Sequence, residues 1–189
     1  LIVVDRAVHG KNQNYLTPEN RVPEKALNYP WESCIIAGGS WSWLPDARYM
    51  SSKNAIQLLV DIVAKGGNLL LGVGPNGQGE FEPKVYENLD LLGKWLQVNG
   101  EAIYETNPVE PFLDGQVAYT SKDDHTIYVI YLPAKNEQQL PAEVRIKTNL
   151  KGKIKASFLA SKQKLSIKTV DGGITISIPG NLRTELAKR

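Results

Sequence analysis

Between Tyr15 and Cys34 the chain reads YLTPENRVPEKALNYPWESC, which sets three glutamates, Glu19, Glu24 and Glu32, among prolines and aromatics. A carboxylic acid held in such a segment can protonate a leaving oxygen, or take a proton from water, once its surroundings raise its pKa. Upstream, Asp5 and Arg6 close the apolar run LIVV, which reads as a buried strand. A charged pair at the C-terminal end of a barrel strand stands where active sites are built, and a later loop glutamate could reach the same mouth. By spacing alone, a structural salt bridge and solvated loop acids account for these residues at least as well.

Two further patterns could carry chemistry. Trp31, Trp41, Trp43 and Tyr49 crowd into a stretch of largely loop sequence. There an indole can stack on the apolar face of a sugar while its N–H bonds a hydroxyl; core packing is the alternative for any one of them. Gly72, Gly74 and Gly77 in GVGPNGQG follow an apolar run as a G-x-G-x-x-G pattern. A dinucleotide loop needs its helix to begin within the glycines, whereas here Pro75, Asn76 and Gly79 lengthen the loop before Pro83, so a strand-closing turn is expected. His9 and His125 are too isolated for a metal site, and no Ser-His-Asp set is identifiable. Cys34 is the single cysteine and is expected as a small buried hydrophobe. No metal and no cofactor is implied.

The elements that must position these residues fall into two regimes. Across residues 1–106, apolar runs alternate with helical periodicity: LIVV, WESCIIA and NLLLGV as strands, one helix from Ser51 or Ser52 ended by Gly66 and Gly67, and one from Pro83 to Gly100 with Val85, Leu89, Leu92 and Leu96 on one stripe. Alternating strands and helices imply parallel pairing. Glu24, after Pro23, reads as a first helical turn, and Glu32, beside Trp31, as a buried acid paired with a cation. NPVEP reads as a linker. From Asn107 onward TIYVIYL, AEVRIKT, KLSIKTV and ITISIP alternate with period two between turn signals, which suggests an antiparallel β-sandwich over 107–189.

With 22 basic and 20 acidic residues and no basic block, the chain offers no footprint for nucleic acid. Its apolar runs are too short for a membrane helix. Opening inside an apolar strand, it is expected to be the C-terminal part of something longer.

VVDR, YLTPE, PWESC, SWSW, LLVDIVAKGGNLLLGVGP and LGKWLQVNGEAIYET, in this order across residues 3–106, resemble the C-terminal half of the α-L-fucosidases of glycoside hydrolase family 29. The resemblance implies the C-terminal part of a (β/α)-barrel over 1–106 followed by a β-sandwich. It also implies a retaining exo-glycosidase that releases α-linked L-fucose from fucosylated glycans, secreted or periplasmic. The VVDR and TPEN style is closer to the subgroup preferring α-1,3 and α-1,4 linkages. By the same resemblance Glu19 is the general acid/base, with Glu32 as alternative, Arg6 holds fucose, and Trp41 packs on the sugar. His9, Trp43 and Asn20 are candidates for contacts beyond the fucose. The family commonly has asparagine at the position of Gly72 and SWGY in place of SWSW, which bears on substrate range. The aspartate nucleophile is expected upstream of Leu1, on an N-terminal barrel segment, so this chain alone is expected to be inactive. The alternative function is a non-catalytic fucose-binding protein.

Overall fold

The computed structural model describes residues 3–4, 10–148 and 152–183. Asp5, Arg6 and His9 therefore lie outside the described residues, as does most of the LIVV run.

Strand β1 (Trp31–Ile36) and strand β2 (Gly67–Gly72) pair in parallel, from Trp31 opposite Gly67 to Ile36 opposite Gly72. Helix α1 (Ser52–Ala64) connects them. Ser51 caps it as the sequence predicts, in extended conformation, its hydroxyl accepting the Asn54 N–H at 3.2 Å. Gly66 ends it at φ +81°, a left-handed turn that costs glycine no Cβ strain. Helix α2 (Pro83–Asn99) starts with proline in its first turn, where the absent N–H is not missed, and ends at Gly100. Its expected stripe is only partly covered: Val85 is buried and Leu89 is exposed.

The segment before β1 differs from the polar loop expected there. Val4 bridges Tyr15, Leu16 bridges Trp31 and Glu19 bridges Cys34, all in parallel sense. Four backbone bonds tie the segment to β1 and its approach: Leu16 N to Pro30 O, Glu32 N to Leu16 O, Cys34 N to Pro18 O and Asn20 N to Cys34 O, at 2.8–3.1 Å. Residues 15–20 thus lie beside β1 as β2 does on the other side, and buried Pro18, with no N–H to donate, keeps the pairing from becoming a continuous ladder. The apolar pattern missed this strand-like run because its pairing is carried by backbone groups.

One other expectation is corrected. Glu24 lies in a bend, not a helix; the run between Pro23 and Pro30 is too short to repay helix nucleation. In β2, Asn68 and Leu70 are exposed, while Gly67, Leu69 and Leu71 turn to the covered side.

NPVEP is not a linker. It opens strand β3 (Asn107–Asp114), which pairs antiparallel with β4 (Val117–Ser121), itself paired with β5 (Ile127–Tyr131). The register shifts between Pro108 and Leu113, and β3 is an edge strand, where prolines are tolerated. A second antiparallel sheet has the order β6 (Glu143–Lys147), β9 (Gly173–Ser177), β8 (Lys164–Val170), β7 (Ala156–Ser157). Here period two translates directly into burial: Val144 and Ile146 of β6 and Ile174 and Ile176 of β9 are buried, with less-buried neighbours between them.

These four side chains form one core with Val117 and Tyr119 of β4. The opposite face of β4 contributes Ala118 to a second core with Val60 and Ala64 of α1 and Ile103. The three-stranded sheet is therefore a middle layer, covered by the other sheet on one side and by helices on the other. That explains why four successive residues of β4, Val117 to Thr120, are buried. Thr120 donates to the Ala102 carbonyl at 2.8 Å inside this layer.

Candidate functional site

In open parallel arrangements, side chains and loops at the carboxyl ends of strands form the sites. Three such ends lie side by side here: the end of the 15–20 segment at Glu19, the end of β1 at Ile36, and the end of β2 at Gly72.

Glu19 is exposed at the first of these ends, level with Cys34. Glu32 sits two residues earlier on β1, opposite Asn68, which at about 3.3 Å per residue puts it roughly 7 Å nearer the amino ends. It is half-buried, and among the described residues it pairs with no cation, so the expected buried ion pair is absent there. Asn20, the next residue after Glu19, has φ +51°, and its Oδ1 accepts the Ile36 N–H at 3.0 Å.

The loop that follows β1 carries the tryptophans. It is closed at its base by Ala37 N bonded to Gly72 O at 2.9 Å and Met50 N bonded to Ala37 O at 2.7 Å. Trp41 is 49% exposed, and its ring edge passes 3.4 Å from where a Cβ on Gly72 would stand. Trp43 is half-buried, and its indole N–H donates to Glu82 Oε1 at 2.8 Å. The aromatic group expected from sequence divides. Trp31 is 1% exposed, at the amino end of β1 against Gly67, and Tyr49 packs on Gly38, so both are packing residues.

The glycine loop serves a turn and a close approach. Asn76 Oδ1 accepts from Gln78 N and Glu80 N, folding the loop on itself. A Cβ on Gly74 would stand 2.5 Å from the Trp43 backbone nitrogen, so this glycine is what lets the two loops touch. Glu82 is the N-cap residue of α2, and its carboxylate accepts from Trp43 rather than from the helix N–H groups, so an acid stands beside the helix end that a dinucleotide site would offer to a pyrophosphate.

A family model described as Alpha-L-fucosidase matches residues 1–101, more than half of the chain. The chain belongs to the α-L-fucosidase family. It is 38% identical over 134 residues to an α-L-fucosidase of Branchiostoma floridae, a match covering 67% of this chain and 30% of that protein. It is 35% identical over 139 residues to the plasma α-L-fucosidase of Homo sapiens, covering 69% of this chain and 30% of that protein. Among solved structures, the Thermotoga maritima α-fucosidase in complex with fucose superposes with a TM-score of 0.79 at 30% identity, over 100% of this chain and 42% of that one. The chain spans about a third of the length of the curated relatives it matches.

In this fucosidase-family chain Glu19 and Asn20 stand at the end of the segment beside β1, and Trp41 and Trp43 stand on the loop that follows β1, against Gly72 and Gly74, while Arg6 and His9 fall outside the described residues. Sequence reasoning missed Glu82. No pattern singles it out, because its role depends on an indole 39 positions away in sequence. Among the described residues no three His, Cys, Asp or Glu side chains gather as a metal-ligand set. A cavity of about 620 Å³ lies elsewhere, between α1 and the turns around Gln116 and Pro133, and none of the candidate residues lines it.

Proposed function

We propose that this chain is the acid/base-bearing part of a retaining exo-α-L-fucosidase that releases α-linked L-fucose from fucosylated oligosaccharides or glycoconjugates. The observation that carries the reading is the location of Glu19. It is an exposed residue at the carboxyl end of a segment parallel to β1, the strand whose following loop carries Trp41 and Trp43, and it lies within the stretch matched by the family model.

The chemistry follows from two carboxyl groups about 5–5.5 Å apart. An aspartate on a barrel segment other than residues 1–189 attacks the anomeric carbon as the bond to the leaving oxygen breaks. Glu19, protonated, gives that oxygen its proton. In the second step Glu19 takes a proton from water, the resulting hydroxide oxygen bonds the anomeric carbon, and the aspartate leaves as carboxylate. Arg6 offers a permanently charged fork to the sugar oxygens. The exposed ring of Trp41 offers an apolar face to the sugar. Trp43 flanks the outer pocket by its ring, since its N–H is engaged by Glu82. His9 is the candidate for contacts there, since the Asn20 side-chain oxygen is engaged by the Ile36 N–H. Residues 1–106 would contribute to the barrel and 107–189 form a β-sandwich packed on it. The plasma enzymes among the relatives support a secreted protein. Preference for α-1,3 and α-1,4 linkages is the substrate range that the VVDR and TPEN stretches favour.

In the complete enzyme, Glu19→Gln should lower turnover of a substrate with a poor leaving group by about 100-fold to 10,000-fold, the range general acid catalysis supplies. Azide should restore part of the rate on an activated aryl fucoside. If Glu32→Gln shows this behaviour instead, the acid is Glu32. Fucose binding without hydrolysis of any aryl α-L-fucoside would favour the non-catalytic alternative. Full turnover by a purified 189-residue chain would place the nucleophile within it and overturn the division of labour.

A further inference from the structure

Asn20 occupies an unusual place in the pairing between the 15–20 segment and β1. In a parallel ladder a bridged residue bonds through its N–H and C=O to the two residues flanking its partner. Cys34 does this: its N–H donates to Pro18 O at 3.1 Å and its carbonyl accepts Asn20 N at 2.8 Å, so Glu19 is held between the two bonds. The next rung would join Ile36 N to the main-chain carbonyl of Asn20. The structure replaces it. Asn20 turns the chain away from β1 at φ +51°, and its side-chain oxygen takes the Ile36 N–H at 3.0 Å in place of its own backbone.

Two separate properties of asparagine are used at once. It enters the left-handed region more readily than other residues bearing a Cβ, and its carboxamide can stand in for a peptide carbonyl. The result is a rung that survives one residue after the main chain has left the sheet. Without it, the bond that fixes the Glu19 backbone on its C-terminal side would be the last of the ladder and free to fray. Glu19 is exposed at the strand end, and the direction of its Cα–Cβ bond sets where its carboxylate can reach.

We propose that Asn20 is a positioning residue for Glu19: its side chain completes the ladder to β1 and so aims the carboxylate at the leaving oxygen. This rests on the reading of Glu19 as acid/base.

Three substitutions in the complete enzyme separate the two properties. Asn20→Asp keeps both the left-handed tolerance and the acceptor, Asn20→Gly keeps only the turn, and Asn20→Ala loses both. The readout is kcat/KM on a fucoside with a poor leaving group relative to an activated aryl fucoside, whose departure needs little proton assistance. Asn20→Ala should lower that ratio by about 100-fold, the scale that a misplacement of about 1 Å carries, and Asn20→Gly by about 10-fold. Asn20→Asp should stay within about threefold of the parent, with the alkaline limb of its pH profile moved up by the added neighbouring charge, which favours the protonated acid. If Asn20→Ala does not fold, Asn20→Gly carries the test alone. Equal losses on both substrates, or a ratio unchanged in Asn20→Gly, would overturn the proposal while Glu19→Gln keeps its leaving-group signature. Loss of that signature in Glu19→Gln itself would instead remove the reading on which the proposal stands.

Discussion

The indole N–H of Trp43 donates to Glu82 Oε1 at 2.8 Å, joining the loop after β1 to the residue that precedes α2. Glu82 does not cap its own helix with its side chain; its carboxylate is turned to the tryptophan. A hydrogen bond to a charged acceptor contributes about 1.5–3 kcal/mol, enough to hold one ring orientation. Under the proposed function, Glu82→Ala should raise KM for a branched oligosaccharide by about tenfold, a loss of about 1.4 kcal/mol of binding, and leave kcat nearly unchanged. Glu82→Gln, which keeps an acceptor, should lie close to the parent. Steady-state kinetics on the oligosaccharide and on a simple aryl fucoside decide it, since only the former should respond.

Gly74 and Gly77 belong to the same glycine-rich stretch but have opposite surroundings. A Cβ at Gly74 would meet Trp43 N at 2.5 Å and Ser42 C at 2.7 Å, both backbone atoms that cannot rotate away, whereas at Gly77 it would meet nothing within 4 Å. Gly74→Ala should therefore destabilise by about 2 kcal/mol, and Gly77→Ala should be neutral to within about 0.5 kcal/mol. Urea denaturation of the two variants measures this. A nucleotide-binding role would predict comparable sensitivity at both positions, read as NAD or ATP binding.

At the hairpin between β8 and β9, the two-residue turn Asp171–Gly172 brings Gly173 against β6, where a Cβ would lie 2.1 Å from the Ile146 carbonyl oxygen. Gly173→Ala should force β6 and β9 apart beside the buried pair Ile146 and Ile174, costing about 3 kcal/mol. The midpoint of thermal or urea unfolding reads it directly.

Glu137 accepts from the Tyr131 hydroxyl at 2.7 Å, from Gln116 Nε2 at 2.8 Å and from Ala134 N at 3.0 Å. The tyrosine bond, and then the Ala134 and Gln116 bonds, hold its carboxyl below the usual range. Its folded-state pKa is depressed, so the stabilisation is full above the unfolded value of about 4.3 and is lost as pH falls through the lower folded value. Glu137→Gln should cost about 1 kcal/mol at neutral pH, and the difference from the parent should shrink as pH drops below about 4. Tyr131 gives the opposite sign. Burial, then Glu137, pushes its hydroxyl up to about 12, so its contribution is present below about 10 and is lost in alkali. Denaturant titrations across these two windows test both ends.

Helices α1 and α2 and strands β5, β6, β8 and β9 were legible because their signals are local, whereas β3 read as a linker and β4 and β7 gave no period-two run. Ser51, Gly66, Pro83 and Gly100 mark helix ends by properties each residue carries by itself, and the alternation in EVRIK and GITIS becomes alternating burial without reference to distant chain. NPVEP misled because proline argues against a strand in general but not against an edge strand, and edge position is a property of the sheet. The tryptophans could be collected by sequence but not sorted. Trp31 and Trp41 differ by ten positions, yet one is core and the other surface, since the strand and the loop after it present their side chains to different surroundings.

Residue types and intervals were enough to point to the family, to both long helices and to six of the strands. Motifs in register and caps at helix ends are written in residue types and intervals, which need no third dimension. Only the tertiary structure decided that YLTPEN runs parallel beside β1, that Glu19 and Glu32 stand at different heights along the strands, and that Asn20 and Glu82 hold their neighbours in place. Those facts are made by hydrogen bonds between segments far apart in the chain, and backbone N–H and C=O groups are the same at every position but proline, so their pairing leaves little trace in the sequence.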